Sequence, residues 1–397
     1  MKAFKTALVV VLVIVAGCAS LVASLILTRN TPLDLPTPTG AYSVGRRQYD
    51  WVDRARTDPL ADQPGIPRKL TVWVWYPAAT HHAAIRAPYL PPTWVQARNA
   101  DQGVGILMEH NFATIRTNSL TDAPLADSQR PFPVLIMEPG MGPLPSDYTV
   151  LAEDLASHGY VVVGINPTYT SFVIVFADGH VVRRSASGAI PDLATPAMVD
   201  QIGNRIMNVW ASDVRFAMDQ IDRTNADQAS PFYGRLDVTR IGVFGHSFGG
   251  ATAFYVCQHD PRCKAGANLD GTMFSVELHA TVQHPFLVMT EDYTGSCDRN
   301  CMSMRQMYEH TQAGAAYLLM VRGARHFDFS DLPGRQVPLA RPFFQLLGVT
   351  GSMSPERGEQ IASVYLVAFF DRYLRDFESP LLSGPSQSYP EVQFSRR

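Results

Sequence analysis

Apolar and polar positions follow two alternating patterns from residue 131 onwards. Short apolar runs bounded by Gly, Pro or polar residues predict buried strands, at 133–137, 160–165, 240–244, 265–269, 285–289 and 316–321. Stretches with an apolar residue every three or four positions predict helices, at 148–158, 196–222, 251–257 and 359–374. Strands that alternate with helices are typical of the α/β class, with a mostly parallel central sheet that helices cover on both faces.

The preceding part of the chain lacks this alternation. Residues 70–76 are rich in β-branched and aromatic side chains and predict a strand, which we place near the edge of the sheet because Pro77 follows it. Residues 78–130 contain many prolines, so we expect an irregular segment that covers part of a site. Further along, Ala177-Asp178-Gly179 lies between two short apolar runs and predicts a β-hairpin.

An uncharged apolar run, 6–28, distinguishes the N-terminus from the rest of the chain. Lys2 and Lys5 precede this run and Arg29 follows it, which is the order found in secretory signals. At a rise of ~1.5 Å per residue, the run is also long enough to cross a hydrocarbon core of about 30 Å. We therefore expect residues 1–30 to be a signal or a membrane anchor that directs export.

Cys18 leaves the fate of this segment open. Val15-Ala16-Gly17-Cys18 resembles a bacterial lipoprotein box, in which the cysteine is lipidated after cleavage, but residues 21–27 stay apolar where lipoproteins turn polar. An uncleaved anchor and a lipoprotein signal fit the pattern equally, and simple secretion is the third interpretation. Residues 31–45 contain three prolines and are predicted to be a stiff linker, so that residues 46–397 form one folded domain.

Composition agrees with an exported domain and argues against a nucleic-acid partner. The chain has 397 residues, is 46% hydrophobic and carries a formal net charge of −3, so it can bury a sizeable core and has no strongly basic block. Four further cysteines form two close pairs, Cys257 with Cys263 and Cys297 with Cys301, which predict two disulfide bonds. The alternatives are four free thiols or a zinc site. We expect no metal ion and no cofactor.

The clearest chemical signal is Gly245-His246-Ser247-Phe248-Gly249, which fits G-x-S-x-G. A predicted strand leads directly into this motif and a predicted helix follows it. In that context the serine lies on a sharp strand-to-helix turn with strained backbone angles, and the two glycines avoid clashes across the turn. We predict that Ser247 is the nucleophile of an α/β-hydrolase fold; the alternative is a purely structural turn.

A serine hydroxyl becomes an effective nucleophile only when a histidine removes its proton and a carboxylate orients that histidine. In this fold the acid and the histidine both follow the serine in the chain. His326 is the downstream histidine that directly follows a predicted strand, so its loop can return to the nucleophile. The other downstream histidines lie in or beside helical or loop stretches: His259, His279, His284 and His310.

Two carboxylates remain candidates for the acid on pattern alone. Asp270 ends the first strand after the serine, and Asp292 ends the strand after that. Either position would bring a carboxylate to the edge of the sheet where Ser247 and His326 are expected.

Several of these stretches resemble the platelet-activating-factor acetylhydrolase (lipoprotein-associated phospholipase) family. The likeness lies in residues 240–253, in Ala265-Gly266-Ala267-Asn268-Leu269-Asp270, and in the spacing from Ser247 through Asp270 to His326. It extends over roughly residues 131–329 and is weaker at 75–77 and 369–371. The resemblance implies that Asp270 is the acid, with Asp292 kept as the alternative.

The oxyanion hole of such an enzyme needs two backbone N–H groups. One comes from the residue after the nucleophile, Phe248. The resemblance implies that the other comes from Met141, in the turn after the strand 133–137. The family usually has a His-Gly pair in this turn, whereas this chain has Pro139-Gly140, which changes the shape of the loop but not the chemistry of a backbone donor.

The family likeness implies a serine esterase that hydrolyses short or oxidised acyl esters, including those at the second position of phospholipids. The predicted partner is thus a small-molecule or lipid ester, with membrane association through the N-terminus. A broad carboxylesterase or polyester hydrolase would use the same residues and is the first alternative. The second alternative is a non-catalytic, hydrolase-like binding protein, against which the chain retains both Ser247 and His326.

Overall fold

The computed structural model describes residues 2–79, 84–274 and 281–397. Within these residues, twelve strands form one sheet and two more form a separate hairpin. In chain order the strands are β1 Leu33–Asp34, β2 Ser43–Thr57, β3 Pro67–Ala78, β4 Arg86–Pro88, β5 Ile115–Thr121, β6 Phe132–Glu138, β7 Val161–Asn166, β8 Val173–Val175, β9 Val181–Arg183, β10 Leu236–His246, β11 Cys263–Leu269, β12 Phe286–Thr290, β13 Ala316–Val321 and β14 Val392–Arg396.

The large sheet has the order β1-β5-β2-β3-β7-β6-β10-β11-β12-β13-β14, and β4 pairs with β5. Its six central strands, from β7 to β13, run parallel to one another, and the flanking strands β3 and β14 pair with them antiparallel. Every residue of β6, β7 and β12 is buried, because helices cover both faces of this part of the sheet. The predicted α/β architecture is therefore confirmed, and the carboxyl ends of the parallel strands meet at one edge.

The described residues contain nine α-helices. They are α1 Lys2–Arg29, α2 Pro92–Asp101, α3 Thr149–Ser157, α4 Pro196–Ala226, α5 Phe248–His259, α6 Arg299–Glu309, α7 Leu332–Arg335, α8 Arg341–Leu346 and α9 Pro355–Leu374. Helices α3 and α9 contribute to the hydrophobic core on one face, and α4 and α5 to the core on the other. The amphipathic stretches predicted at 148–158, 196–222 and 359–374 correspond to α3, α4 and α9.

The strand predicted at 70–76 lies inside the sheet, not near its edge as expected. It belongs to β3, which pairs antiparallel with β2 on one side and with β7 on the other. The prediction was wrong because the sequence pattern indicated no further strand beyond β3. In the structure, β2, β5 and β1 lie beyond it in the sheet. Pro77 is accommodated at the end of β3, opposite Val44. The predicted hairpin is confirmed as β8 and β9.

Residues 31–45, predicted to be a linker, make specific contacts with the domain. Leu33 and Asp34 form β1 beside β5, and the N–H of Thr39 donates to Asp154 Oδ1 at 2.6 Å. The N–H of Gly40 donates to Ser157 Oγ at 2.9 Å, and β2 begins at Ser43. Hydrogen bonds therefore attach the predicted linker to α3 and to the sheet edge.

The N-terminal helix α1 is long and apolar enough, over Phe4–Arg29, to cross a membrane. That statement rests on its length and composition, which secretory signals share. Its C-terminal end is attached to the domain, since the N–H of Asn111 donates to the Arg29 carbonyl at 2.8 Å.

Both predicted disulfide bonds are present. Cys257 in α5 is bonded to Cys263 at the start of β11, and Cys297 is bonded to Cys301 in α6. The second bond links the loop before α6 to the first turn of that helix. Cys18, in α1, is a free and exposed thiol.

Candidate active site

Ser247 lies between the end of β10 and the start of α5, in a strained turn. Its backbone has φ 55° and ψ −124°, a left-handed conformation that a non-glycine residue rarely adopts. A Cβ at Gly249 would lie 2.3 Å from the carbonyl oxygen of Glu138, and a Cβ at Gly245 would lie 2.4 Å from the carbonyl carbon of Gly249. Only glycine therefore fits at these two positions, and the turn presents Ser247 at the N-terminus of α5.

The structure brings His326 and Asp270 together at the same edge of the sheet. Asp270 follows β11 with φ 56°, and His326 begins a 3₁₀ helix, His326–Phe329, shortly after β13. Asp270 Oδ2 lies 2.7 Å from His326 Nδ1. The other carboxylate oxygen, Oδ1, accepts the N–H of Glu291 at 2.9 Å. Both oxygens of Asp270 are thus engaged, which fixes the imidazole ring through Nδ1 and leaves Nε2 for another partner.

The turn that carries Asp270 is shaped by Asn268. Its Oδ1 accepts the N–H of Gly271 at 2.7 Å, and its Nδ2 donates to the carbonyl of Gly271 at 2.8 Å. The turn also leaves no room for a side chain, because a Cβ at Gly271 would lie 2.0 Å from the Ser247 carbonyl oxygen. Asn268 therefore contributes to the site by orienting Asp270, a role that the sequence analysis did not assign to it.

The alternative acid, Asp292, makes local backbone contacts instead. Its Oδ1 accepts the N–H of Thr294 and its Oδ2 accepts the N–H of Gly323, both at 2.8 Å. It thereby links the loop after β12 to the loop after β13. The geometry favours Asp270 as the partner of His326.

Three of the other downstream histidines lie away from this edge. His259 ends α5, His284 precedes β12 at the opposite edge of the sheet, and His310 follows α6. His279 lies outside the described residues.

Asp270 determines the proton affinity of His326. Burial by itself lowers the pKa of His326, but the hydrogen bond and the negative charge of Asp270 outweigh this effect and raise the pKa above its usual value of 6.5. Glu291 adds a second negative charge nearby. Burial and the charge of Asp270 in turn raise the pKa of Glu291.

The two predicted oxyanion donors lie on either side of the turn. Phe248 is the first residue of α5, where backbone N–H groups lack partners within the helix. Met141 lies in the turn after β6. The neighbouring Gly140 is close to the nucleophile, because a Cβ there would lie 3.4 Å from Ser247 Cβ.

Two buried side chains beside this turn were not predicted as part of the site. The Tyr148 hydroxyl lies 2.8 Å from His246 Nδ1 and accepts the N–H of Gly140 at 3.1 Å. His246 Nε2 lies 2.7 Å from the carbonyl oxygen of His326. His246 could have been suspected from its place in the G-x-S-x-G motif, whereas Tyr148 has no local signal in the sequence.

A cavity of about 370 Å³ opens beside Ser247. Its wall includes Ser247, Asp270 and His326, apolar side chains from several elements, and a charged pair at the mouth where Arg299 contacts Asp200. The lining residues are Val199, Asp200, Ser247, Phe248, Asp270, Thr272, Met273, Phe274, Glu291, Tyr293, Arg299, Asn300 and His326. Among the described residues, no group of three or more His, Cys, Asp or Glu is arranged to hold a metal ion.

Comparisons with known proteins agree with the fold and with the chemistry of this edge. The family model described as "Platelet-activating factor acetylhydrolase, isoform II" matches residues 27–177 and 203–380. A probable 1-alkyl-2-acetylglycerophosphocholine esterase of Arthroderma benhamiae is 25% identical over 390 residues, which cover 91% of this chain and 93% of that protein. A platelet-activating factor acetylhydrolase of Cavia porcellus is 22% identical over 303 residues, which cover 69% of this chain and 65% of that protein.

A solved structure gives a similar result. The ferulic acid esterase of Streptomyces cinnamoneus superposes with a TM-score of 0.75 and 28% sequence identity, and the match covers 92% of this chain and 100% of that one. These findings confirm the predicted family resemblance, the α/β-hydrolase fold and the class of carboxylic ester hydrolases.

Proposed function

Because the chain belongs to the platelet-activating factor acetylhydrolase isoform II family, we propose that it hydrolyses short or oxidised acyl esters, including those at the second position of phospholipids. We assign Ser247 as nucleophile, His326 as general base and Asp270 as orienting acid. The 2.7 Å contact between His326 Nδ1 and Asp270, in the wall of the cavity that contains Ser247, carries this proposal.

Acylation follows from the hydrogen bonds of His326. Since Nδ1–H donates to Asp270, the ring accepts the proton of Ser247 Oγ at Nε2 while Oγ attacks the ester carbonyl. The carbonyl oxygen becomes an oxyanion, which the N–H groups of Phe248 and Met141 and the N-terminus of α5 stabilise. The intermediate collapses, His326 returns the proton to the departing alcohol oxygen, and the acyl group remains on Ser247.

Deacylation repeats these steps with water. His326 removes a proton from a water molecule, which attacks the acyl carbonyl through a second tetrahedral intermediate in the same oxyanion hole. The bond to Oγ breaks, Ser247 regains its proton from His326, and the carboxylic acid leaves. Asp270 stays ionised throughout and stabilises the imidazolium that forms twice in each cycle.

The cavity supports a short acyl group as substrate. Its volume of about 370 Å³ is at the lower end of the range of small-molecule sites, roughly 300–1,000 Å³. Phe248, Met273 and Phe274 give it apolar surface next to Ser247. Arg299 lies at the mouth and offers a positive charge to a substrate phosphate in competition with Asp200.

An ester panel on the full chain in detergent tests the proposal. We expect kcat/KM to be highest for p-nitrophenyl acetate and butyrate and to fall for the octanoate and dodecanoate esters. We also expect the enzyme to release acetate from 1-alkyl-2-acetylglycerophosphocholine with a similar kcat/KM. Ser247→Ala should lower kcat by about 10⁴-fold or more on every substrate. A preference for long acyl chains, or unchanged turnover in Ser247→Ala, would contradict the proposal.

A broader carboxylesterase is the second candidate, and the likeness to a ferulic acid esterase over 92% of the chain favours it. Methyl ferulate and a polyester film in the same panel distinguish the two functions. Turnover of either at a higher rate than the phospholipid would select the carboxylesterase. Stoichiometric labelling of Ser247 by an organophosphonate would exclude a non-catalytic binding protein.

The N-terminal helix and the two disulfides support export, and we propose that the domain stays attached to a membrane at its N-terminus. Most apolar side chains of α1 are exposed, and the hydrogen bond from the Asn111 N–H to the Arg29 carbonyl holds the end of the helix to the domain. The intact mass of the mature protein tests this proposal. A full-length chain indicates an anchor, a chain that begins at a lipidated Cys18 indicates a lipoprotein, and a shorter chain without lipid contradicts attachment.

A further inference from the structure

His246 touches both halves of the proposed catalytic apparatus without lining the cavity. Its ring is buried beside that of His326, with 4.5 Å between the ring centroids. On one side Nε2 reaches the carbonyl oxygen of His326 at 2.7 Å. On the other side Nδ1 reaches the Tyr148 hydroxyl at 2.8 Å, and that hydroxyl also contacts the N–H of Gly140 at 3.1 Å.

The partners determine where the hydrogens lie. A carbonyl oxygen only accepts, so Nε2 of His246 carries a hydrogen and donates it to His326. The N–H of Gly140 only donates, so the Tyr148 oxygen accepts from it and gives its own hydrogen to Nδ1. Every group in this series is then satisfied when His246 is neutral with its hydrogen on Nε2. The three hydrogen bonds all donate in the same direction. The Gly140 N–H donates to Tyr148, Tyr148 donates to His246, and His246 donates to the His326 carbonyl.

We propose that His246 is a positioning residue that joins the oxyanion turn to the general base. Through Tyr148 it holds the N–H of Gly140, the residue before the Met141 donor, and through Nε2 it holds the backbone of His326. The distance between the donor of the oxyanion hole and the base is thereby fixed through one buried ring. This role rests on the proposed function. It adds an explanation of how the oxyanion turn and the general base are held at a fixed distance from each other.

The surroundings keep the ring in the required form. Burial lowers the pKa of His246 well below its usual value, and the positive charge that His326 acquires during catalysis lowers the pKa further. His246 therefore stays neutral when its neighbour becomes an imidazolium. Burial also raises the pKa of Tyr148, so its hydroxyl keeps the hydrogen that it donates.

Three substitutions separate the two contacts of the ring. Tyr148→Phe removes the hydroxyl and breaks the connection to Gly140. His246→Gln puts an amide N–H near the position of Nε2 and keeps the donor for His326, but loses the acceptor for Tyr148. His246→Asn puts a carbonyl oxygen near the position of Nδ1 and keeps that acceptor, but loses the donor. Tyr365→Phe is the matched control, because its hydroxyl on α9 is buried and has no hydrogen-bond partner among the described residues.

We expect Tyr148→Phe and His246→Gln each to lower kcat on p-nitrophenyl acetate by roughly 10- to 100-fold, with KM changed less than about threefold. Since both remove the same connection, the double variant should be within about twofold of Tyr148→Phe. His246→Asn breaks the same connection at its other end, so its double variant with Tyr148→Phe should also be within about twofold of the more impaired single variant. Tyr365→Phe should retain the wild-type kcat.

The outcomes that overturn the proposal are distinct from those that overturn the function. Thermal unfolding and phosphonate titration give the fraction of folded, reactive enzyme in each variant, and Tyr148→Phe provides the test if the His246 variants do not fold. Wild-type kcat in Tyr148→Phe, or losses that multiply fully between Tyr148→Phe and His246→Gln, would contradict the role of His246. A wild-type chain without turnover on any ester contradicts the proposed function instead, whatever the variants do.

Discussion

At the scale of single residues, Asp270 controls both the position and the charge of His326. Its carboxylate holds Nδ1 at 2.7 Å, and it is itself held by the N–H of Glu291 and by the turn that Asn268 shapes. Asp292 also follows a strand, but its carboxylate returns to nearby backbone N–H groups. The two residues therefore differ in the direction of the side chain, which a turn determines.

A pair of isosteric substitutions tests this assignment. We expect Asp270→Asn to lower kcat by about 10⁴-fold, because an amide in place of the carboxylate favours the wrong tautomer of His326 and removes the charge that stabilises the imidazolium. Asp292→Asn should retain kcat within about threefold, since its contacts lie outside the proton transfer. Steady-state kinetics on one short ester measure both. Near-wild-type kcat in Asp270→Asn, or a comparable loss in Asp292→Asn, would reverse the assignment.

The pH dependence of kcat/KM reports the charge of His326. As the proposed general base, His326 must be neutral to accept the proton of Ser247, so we expect activity to fall as the pH is lowered through the pKa of His326. Burial lowers that pKa but Asp270 raises it by more, so the acid limb should have an apparent pKa above 6.5. In Asp270→Asn the small remaining activity should show this limb at lower pH. Rates between about pH 5 and pH 9 measure the shift, and a limb below 6.5 in the wild type would contradict it.

The local pattern was sufficient for residues whose role depends on a motif or on their order along the strands. It led to Ser247 and His326 as the predicted nucleophile and base, and it narrowed the predicted acid to two aspartates. It could not identify Tyr148 or Glu291, because their contacts join segments far apart in the chain. The choice of Asp270 needed the family resemblance, since both aspartates end strands that lie next to each other.

At the scale of elements, most of the strands that were predicted in the large sheet are those buried on both faces. β2 was missed although it is 15 residues long, because six of those residues are charged and obscure the alternation. The charges have partners that only the tertiary structure supplies. The Arg46 guanidinium lies 4.5 Å from the ring centroid of Trp73, and Asp50 Oδ2 accepts the N–H of Ala177 at 2.9 Å. Missing β2 also caused the error in the position of β3.

The connection from β10 to α5 depends on the absence of a side chain at Gly249. A methyl group there would meet the backbone of β6 at 2.3 Å, which cannot give way as a side chain can. We expect Gly249→Ala to lower the free energy of unfolding by about 1–3 kcal/mol and to reduce kcat, because the elbow must shift. Gly334→Ala, in α7 with open space around it, should be neutral or slightly stabilising. Urea unfolding and kinetics on both variants measure this, and equal stabilities would contradict it.

At the scale of the whole molecule, buried ion pairs join the antiparallel side of the sheet to its parallel core. Arg68, at the start of β3, is completely buried and donates to Asp213 in α4 and to Asp58. It also donates to the carbonyl of Thr168, after β7, at 2.9 Å. A single guanidinium thus connects β3, α4 and two loops.

This arrangement predicts a large difference between two aspartates of the same helix. Asp213 and Asp219 both lie in α4 and both contact an arginine, but Asp213 is buried against Arg68, whereas Asp219 is half-exposed beside Arg262. Removing Asp213 leaves a buried guanidinium with too little negative charge, so Asp213→Ala should lower the free energy of unfolding by about 3–5 kcal/mol. Asp219→Ala should lower it by less than about 1 kcal/mol, because water compensates the loss of an exposed pair.

Urea unfolding of the two variants, followed by tryptophan fluorescence, measures the difference. An equal, small change in both would mean that Asp58 and the Thr168 carbonyl suffice to hold Arg68. A large loss in Asp213→Ala with an unchanged dependence of the unfolding free energy on urea would mean that the two sides of the sheet still unfold as one unit. Two separate transitions would instead show that this guanidinium is what makes the sheet cooperative, because the antiparallel strands would then lose their structure before the parallel core that carries Ser247.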